Sequence, residues 1–276
     1  MTGARGGLFV VSTPIGNLGD MSARAIETLR SADLVLAEDT RHSAILTSHF
    51  GVHSRVEAYH EHNEAKATPR VLQRLAGGAT VALVSDAGTP LLSDPGARLV
   101  RAAIEAGFRV TPVPGASAML AALVGSGLPM DRFTFMGFVG RKGRDRSEAV
   151  RGIVESSVTT VIYEAPGRAA ALLAALRDAG AGGRAAAVAR ELTKQFEEFR
   201  RGTVSELAEG CAAEPPRGEV VIVVAGAAEA PEPDEAALSR RVGELRAAGL
   251  SAREVARVLS DEMGASRNTA YRLAHE

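Results

Sequence analysis

Apolar residues in the first half of the chain come in short unbroken runs. Each run stops at a cluster of turn formers before an amphipathic stretch begins. Residues 8–12, 34–37, 81–84 and 109–113 read as buried strands, and 54–59 alternates weakly as a further one. Between them lie helical patterns. One is capped by Ser22 with Ala25, Ile26 and Leu29 on one face, another spans 97–106 and is closed by Gly107, and an Ala/Leu-rich one ends at Gly125 and Gly127. Five strand–helix alternations predict a doubly wound, mostly parallel α/β domain over 1–127. From 128 to 226 the strand-like stretches around Phe133 and Phe135, 159–163, 185–189 and 219–225 lack uniform helical crossovers, which predicts a second α/β domain with a mixed sheet. An Ala/Glu/Pro-rich linker is expected at 227–235 and a helical tail at 236–276. In the tail, Ser251 caps a helix carrying Val255, Val258, Leu259 and Met263. Gly264 breaks it, and Ser266 starts another through Tyr271 and Leu273. This pair is helix-turn-helix-like, with Arg253, Arg257, Arg267 and Arg272 as candidate phosphate contacts. A helical hairpin packed on its own chain or on a partner fits equally, since so short a stretch needs help to hold together.

Candidate chemistry gathers where the strands end. The run at 81–84 leads into Ser85 and then Asp86, Gly88, Thr89, Pro90, Ser93, Asp94, Pro95 and Gly96, more turn formers than a strand-to-helix connection requires. In an open α/β sheet that loop borders the ligand crevice. After the first strand, Pro14, Gly16 and Gly19 form a glycine loop without the spacing of a dinucleotide fingerprint or the Lys-Ser/Thr of a P-loop. A small ligand without phosphates is therefore the better expectation. Glu38, Asp39, Thr40, Arg41 and His42 follow the second strand as a site, or as the cap of the next helix. His60 and His62 lack a third partner, so no metal is expected, and Asn63 can cap the helix behind them. Arg141, Lys142, Arg144 and Arg146 make a glycine-punctuated basic loop at 140–146, suited to phosphates or simply solvated.

Composition changes this picture little. A chain of 276 residues has room for about two domains, and 46% hydrophobic residues can supply a core for each. A net charge of −1 offers no global steering, so a polyanion would have to meet a local basic patch. The single cysteine, Cys211, fits a reducing compartment. Neither a secretory leader nor a membrane span is expected, which leaves the cytoplasm as the default.

Taken together, the motifs resemble a known family. They are Thr13-Pro-Ile-Gly-Asn-Leu with Asp20, Ala37-Glu-Asp-Thr-Arg41, His62-Asn-Glu64, Ala82-Leu-Val-Ser-Asp-Ala-Gly-Thr-Pro90, Ser93-Asp-Pro-Gly96, Arg190-Glu-Leu-Thr-Lys194 and Gly218-Glu219. In this order they resemble the bacterial small-subunit (16S) ribosomal RNA cytidine 2′-O-methyltransferases of the tetrapyrrole methylase superfamily. Ala116 and Gly167 stand where that family often has proline and histidine. The resemblance implies a two-domain α/β homodimer that holds S-adenosylmethionine between its domains and methylates a ribose 2′-hydroxyl in the decoding region. It implies donor contacts from Pro14, Gly16, Asp86, Ala87, Gly88, Thr89, Ser117, Ala118, Tyr163, Glu164 and Gly218. RNA contacts are expected from Arg41, His62, Asn63, Arg141, Lys142, Arg144, Arg146 and Arg168. Glu38, Asp39, Glu191 and Lys194 are the candidates for catalysis, as carboxylates and a cation that would meet if the domains close over the donor. Two rivals are a tetrapyrrole methylase of the same superfamily and a ligand-sensing DNA-binding regulator that reads duplex with the tail.

Overall fold

The computed structural model describes residues 6–227 and 234–276. The chain divides into two compact units, Met1–Gly226 and Ala227–Glu276.

The first unit holds two five-stranded sheets. In the first, β1 (Gly7–Val11), β2 (Leu34–Ala37), β3 (Arg55–Ala58), β4 (Thr80–Val84) and β5 (Val110–Val113) run in the order β3-β2-β4-β1-β5, with every neighbouring pair parallel. Crossover helices α1 (Ala23–Ser31), α2 (Thr40–His49), α3 (Glu64–Ala76) and α4 (Ala97–Glu105) cover its two faces. Alternation along β4 sets the layers, since Val81 and Leu83 join one apolar cluster with Val71 and Leu99, while Ala82 and Val84 join the other with Ala25 and Leu29. Burial on both faces explains why β4 reads as a continuous apolar run. The solvent-facing edge strand β3 keeps only a weak alternation.

The second sheet is mixed, as the uneven crossovers predict. β6 (Phe133–Phe138), β7 (Thr159–Glu164), β8 (Ala185–Arg190), β9 (Glu198–Thr203) and β10 (Val220–Val224) take the order β6-β7-β10-β8-β9. Only β6 and β7 pair in parallel, and β10 runs antiparallel to both its neighbours. α6 (Gly143–Glu155), α7 (Ala169–Leu176) and α8 (Val204–Ala213) cover one face, where Val220, Ile222 and Val224 point. Val221 and Val223 point to the other, against α5 (Ala118–Ser126). α5 follows the last strand of the first sheet but packs on the second, so the two sheets share an apolar cluster that includes Ile15, Ala122 and Leu123.

Two features differ from the sequence reading. The basic stretch is a loop only as far as Lys142, because α6 starts at Gly143 and carries Arg144 and Arg146 in its first turns. β9 has no apolar alternation to announce it, since Glu198, Arg200 and Arg201 sit among its residues and their charges are spent on ion pairs and carbonyl contacts.

Among its described residues the second unit contains three helices where the sequence indicates two: α9 (Glu235–Ala247), α10 (Ala252–Met263) and α11 (Arg267–His275). α9 supplies what the pair lacks, because Leu238, Val242 and Leu245 share a core with Val255, Leu259, Ala270 and Leu273. Ser251 and Glu254 form a capping box at α10, and Gly264 ends that helix in the left-handed region (φ 69°). Arg272 is tied to Glu235 and Glu276, so it is the least free of the four arginines. Most of the linker expected at 227–235 lies outside the described residues.

Candidate functional site

Parallel pairing brings the carboxyl ends of β1, β2, β4 and β5 to one edge of the first sheet, and hydrogen bonds lace three of the loops together there. Thr13 and Gly88 exchange backbone hydrogen bonds of 2.8 and 3.1 Å. The Thr13 hydroxyl donates to the Ser85 carbonyl at 3.2 Å, Ser12 Oγ donates to Thr89 Oγ1, and Thr89 Oγ1 donates to the Ala116 carbonyl, each of these at 3.1 Å. Gly88 has φ 81°, and a Cβ there would press on Ile15 Cγ2 at 3.1 Å. The loop beyond it is strained, with Leu91 and Ser93 also at positive φ (74° and 71°). Non-glycine residues hold that conformation only where their surroundings over-determine it, as at ligand clamps.

Across from this edge stand three parts of the second sheet: the end of β7, the turn after β8 and the start of β10. A cleft of about 410 Å³ separates the two groups. Asp86, Ala87, Gly88, Thr89, Ser117 and Ala118 line it from one side, and Tyr163, Glu164 and Gly218 from the other. Nine of the eleven expected donor contacts are therefore brought together. Pro14 is buried and does not line the cleft, its neighbour Ile15 taking that place. Gly16 serves another purpose, because a Cβ there would lie 2.3 Å from Lys194 Cγ. The lysine stem lies across that glycine and spans from one sheet's loops to the other's.

The expected catalytic residues separate. Glu38 lines the cleft, and its pKa is raised by burial first and then by the charges of Asp94, Asp86 and Asp39. Asp39, one residue on, does not line it. Its carboxylate caps α2 by accepting from the Arg41 backbone at 2.8 Å and pairs with the Arg41 guanidinium at 2.7 Å. Those hydrogen bonds hold it well below the usual carboxylate range. Of the two readings of this stretch, Glu38 takes the site and Asp39 the cap. Glu191 and Lys194 flank the cleft rather than line it: Lys194 Nζ lies 2.9 Å from Glu191 and 3.2 Å from Glu219, and Glu219 is the cleft residue. Burial opposes the lysine's charge, but the Glu191 hydrogen bond and the Glu219 carboxylate outweigh it and raise the pKa, so Lys194 is an ammonium. The Lys194 hydrogen bond in turn lowers the pKa of Glu191.

The expected RNA contacts are spread more widely. Arg41 is almost fully exposed beside Asp39. His62 is exposed, whereas Asn63 accepts from the His60 backbone and donates to the Ala58 carbonyl, a staple of its own turn rather than a side-chain cap. Among the described residues no group of three or more His, Cys, Asp and Glu is placed to hold a metal. Arg144 pairs with Glu148 at 2.6 Å. Arg141 and Arg168 line a second depression of about 560 Å³ that meets the main cleft at Phe138 and Ala165.

Three cleft residues stand outside the expected donor and catalytic contacts. Asp94 is pushed up to about 6 by burial, with the Ser85 hydroxyl opposing and the Asp86 charge adding. Its signal was the density of turn residues at 93–96. Phe138 forms an aromatic wall with Tyr163, their centroids 5.6 Å apart, and Tyr163 OH accepts from the Met119 backbone at the start of α5. Glu219 precedes its strand rather than following it.

Taken whole, the lining has one electrostatic character. Glu38, Asp86, Asp94, Glu164 and Glu219 face the cleft, and among the described residues no lysine or arginine does. Glu164 is fully buried, and its Oε1 accepts from the Ala165 backbone at 2.8 Å and is paired with Arg168. Its Oε2 has no partner. A buried carboxylate oxygen without a partner is an acceptor held ready for a ligand donor. This is a site for a cationic or donor-rich small molecule and a poor one for phosphate.

The chain belongs to the tetrapyrrole (corrin/porphyrin) methylase family, whose model matches residues 7–208. Among solved structures it resembles the uroporphyrin-III-C-methyltransferase of Thermus thermophilus (TM-score 0.58, 21% identity, 80% of this chain and 94% of that one). A diphthine synthase is similar too (TM-score 0.63, 18% identity, covering 79% and 89%). Within the family it is 47% identical over 266 residues to the ribosomal RNA small subunit methyltransferase I of Mesorhizobium japonicum, covering 96% of this chain and 90% of the relative. It is also 47% identical over 273 residues to the protein of the same description from Pseudomonas aeruginosa, covering 98% and 96%.

Proposed function

We propose that the chain is an S-adenosylmethionine-dependent methyltransferase of small-subunit ribosomal RNA, and that the acceptor is the 2′-hydroxyl of a cytidine in the decoding region of 16S rRNA. The observation that carries the donor reading is the five-carboxylate, cation-free cleft with its orphaned Glu164 oxygen. The acceptor reading is supported by relatives of nearly the same length that are described as acting on that RNA.

When bound, the donor supplies an electrophilic methyl on a sulfonium, a cation without phosphates. Asp86, Gly88, Thr89, Ser117, Ala118, Tyr163, Glu164 and Gly218 are the residues that would hold it. Hydrogen bonds among the loops of β1, β4 and β5 hold these residues in one arrangement, which serves to position the reactants. A ribose hydroxyl must give up a proton, and in this cleft the burden falls on Glu38 and Asp94. Both have raised proton affinity, Glu38 through burial and then the charge of Asp94, and Asp94 mainly through burial. Asp39 and Glu191 are less suited, being held ionised by their cations, and Lys194, as an ammonium, supports the developing alkoxide by charge.

The surface supports the remaining partners. Leu120 and Val124 on α5 and Phe133 and Met136 on β6 are exposed apolar residues of the first unit, which we assign to a homodimer contact. Arg141, Lys142, Arg146 and Arg168 are assigned to RNA phosphates. No described helix is long and apolar enough to cross a membrane, and we place the protein with the ribosomes in the cytoplasm. The test is transfer of labelled methyl to small subunits from cells lacking the gene, followed by nucleoside analysis. A 2′-O-methylcytidine at one decoding-region position is the expected product. Label in a tetrapyrrole but not in RNA would overturn the reading.

A further inference from the structure

Outside the cleft, Phe196 presents an aromatic side chain to solvent. Phe196 is 63% exposed and belongs to no apolar cluster, whereas Phe199, three residues on, packs against α5 and lies under Arg201. Phe196 borders a depression of about 670 Å³ lined also by Arg190, Arg200, Pro215, Pro216 and Arg217.

Its supporting loop is tied together by hydrogen bonds. Glu191 and Thr193 hold positive φ (50° and 66°), Lys194 N donates to the Glu191 carbonyl at 3.0 Å, Glu197 N to the Lys194 carbonyl at 3.2 Å, and Thr193 N to Glu197 Oε2 at 2.6 Å. An aromatic ring is therefore presented to solvent on a hydrogen-bonded loop, with its face open to stacking.

The charge around it favours an anion. Arg190 and Arg200 both pair with Glu198, and Arg200 also reaches Glu214, so these two cations are matched by two carboxylates and the excess charge is that of Arg217. Glu191 is committed to Lys194, and Arg217 is exposed with no ion pair among the described residues. An aromatic face beside an uncommitted guanidinium is the chemistry that holds an unstacked nucleotide.

Its position indicates which nucleotide. Gly218 borders both the depression and the cleft, and Glu219, on the cleft side, donates its backbone N–H to Glu191 Oε1, on the other side, at 3.1 Å. Only this short ridge separates the two. We propose that the depression beside Phe196 is a subsite for a nucleotide adjoining the methylated one, its base stacked on Phe196 and its phosphate met by Arg217. The proposal rests on the ribosomal RNA reading above.

The chain contains no tryptophan, so Phe196→Trp in the full-length protein places a single indole at the subsite. Its fluorescence should be quenched by a short single-stranded oligoribonucleotide carrying the target cytidine and its neighbours. Phe196→Leu should raise KM for small-subunit RNA by about 5- to 100-fold, as expected for loss of one base stack. It should leave kcat and the thermal midpoint unchanged, and Phe196→Tyr should restore KM. Arg217→Ala should lower the salt slope of RNA binding by about one. A wild-type protein that methylates rRNA, together with an unquenched indole and an unchanged KM for Phe196→Leu, would overturn the subsite alone. A wild-type protein that leaves rRNA unmethylated would overturn the underlying reading with it.

Discussion

The two sheets contribute to one cleft by different routes. In the parallel sheet every strand points the same way, so each candidate residue follows its strand: Thr13 after β1, Glu38 after β2, Asp86 after β4 and Ser117 after β5. In the mixed sheet β10 is reversed between β7 and β8, and Val220 is registered against both Glu164 and Arg190. The residues that precede β10 therefore meet those that follow its neighbours. A parallel sheet gathers chemistry by one rule that can be read along a chain, whereas a mixed sheet does so by pairings that no local pattern reveals.

The largest expected effect tests the parallel side at two adjacent residues. Glu38→Gln keeps the side chain's size and removes a candidate proton acceptor, and kcat should fall by about 10² to 10⁴ with little change in donor affinity. Asp39→Ala removes a helix cap and should cost about 0.5–2 kcal/mol of stability while sparing most of the rate. Calorimetry together with single-turnover kinetics checks both, and the opposite pattern would exchange the roles of site and cap.

On the mixed side, Lys194→Ala should slow methyl transfer by about ten- to a hundredfold, less than the 10² to 10³ for losing a direct oxyanion donor. Its charge reaches the cleft partly through Glu219, and its stem lies across Gly16. The loss should persist when RNA and donor are both saturating, the mark of an interaction made in the transition state. Recovery of the wild-type rate at saturation would reduce the lysine to a tether between the two sets of loops.

This contrast also explains what the sequence made legible. Runs such as 81–84, apolar because both faces are buried, identified the parallel strands and their loops. Periodicity could not identify β9, whose charges are paired, nor could it foresee that α5 belongs by packing with the second sheet. At Glu38 and Asp39 it could not say which residue faces the cleft, because that depends on where α2 begins. The third tail helix was not read separately, although Leu238, Val242 and Leu245 fall at i, i+4 and i+7 and give α9 the apolar face that packs with α10 and α11.

A smaller effect depends on pH. Asp94 has a folded pKa of about 6 against an ordinary 3.8, so the fold favours its protonated form. The stability it contributes is complete below the unfolded value and is lost as pH rises through about 6. Asp94→Asn should therefore raise the thermal midpoint more at pH 7.5 than at pH 5, by a shift on the order of a few degrees. Affinity for the cationic donor should move the other way in the wild type, rising between about pH 5 and 7 as Asp94 ionises, and the substitution should flatten that rise. An equal pH dependence in both proteins would assign the titration to another carboxylate.

The smallest effect concerns the basic segment that becomes a helix start. Lys142 is the N-cap residue of α6 without a side-chain cap bond, and Arg144 and Arg146 lie in the first turns. Cations at a helix N-terminus oppose the macrodipole, at a cost of about 0.3–1 kcal/mol each, and only Arg144 has an acidic partner within reach, Glu148. If these residues served the fold alone, this would be a poor place for them. Replacing Lys142 and Arg146 with alanine should therefore stabilise the protein by a few tenths of a kcal/mol to about 1 kcal/mol. It should also weaken RNA binding and lower its salt slope by about two, one for each lost phosphate contact. Donor affinity should stay as it was, because neither residue lines the cleft. Gains in stability and losses in RNA affinity that appear together would mark the segment as a place where binding is favoured over stability. A stabilised variant with an unchanged salt slope would leave α6 with an unfavourable terminus and no role in RNA binding.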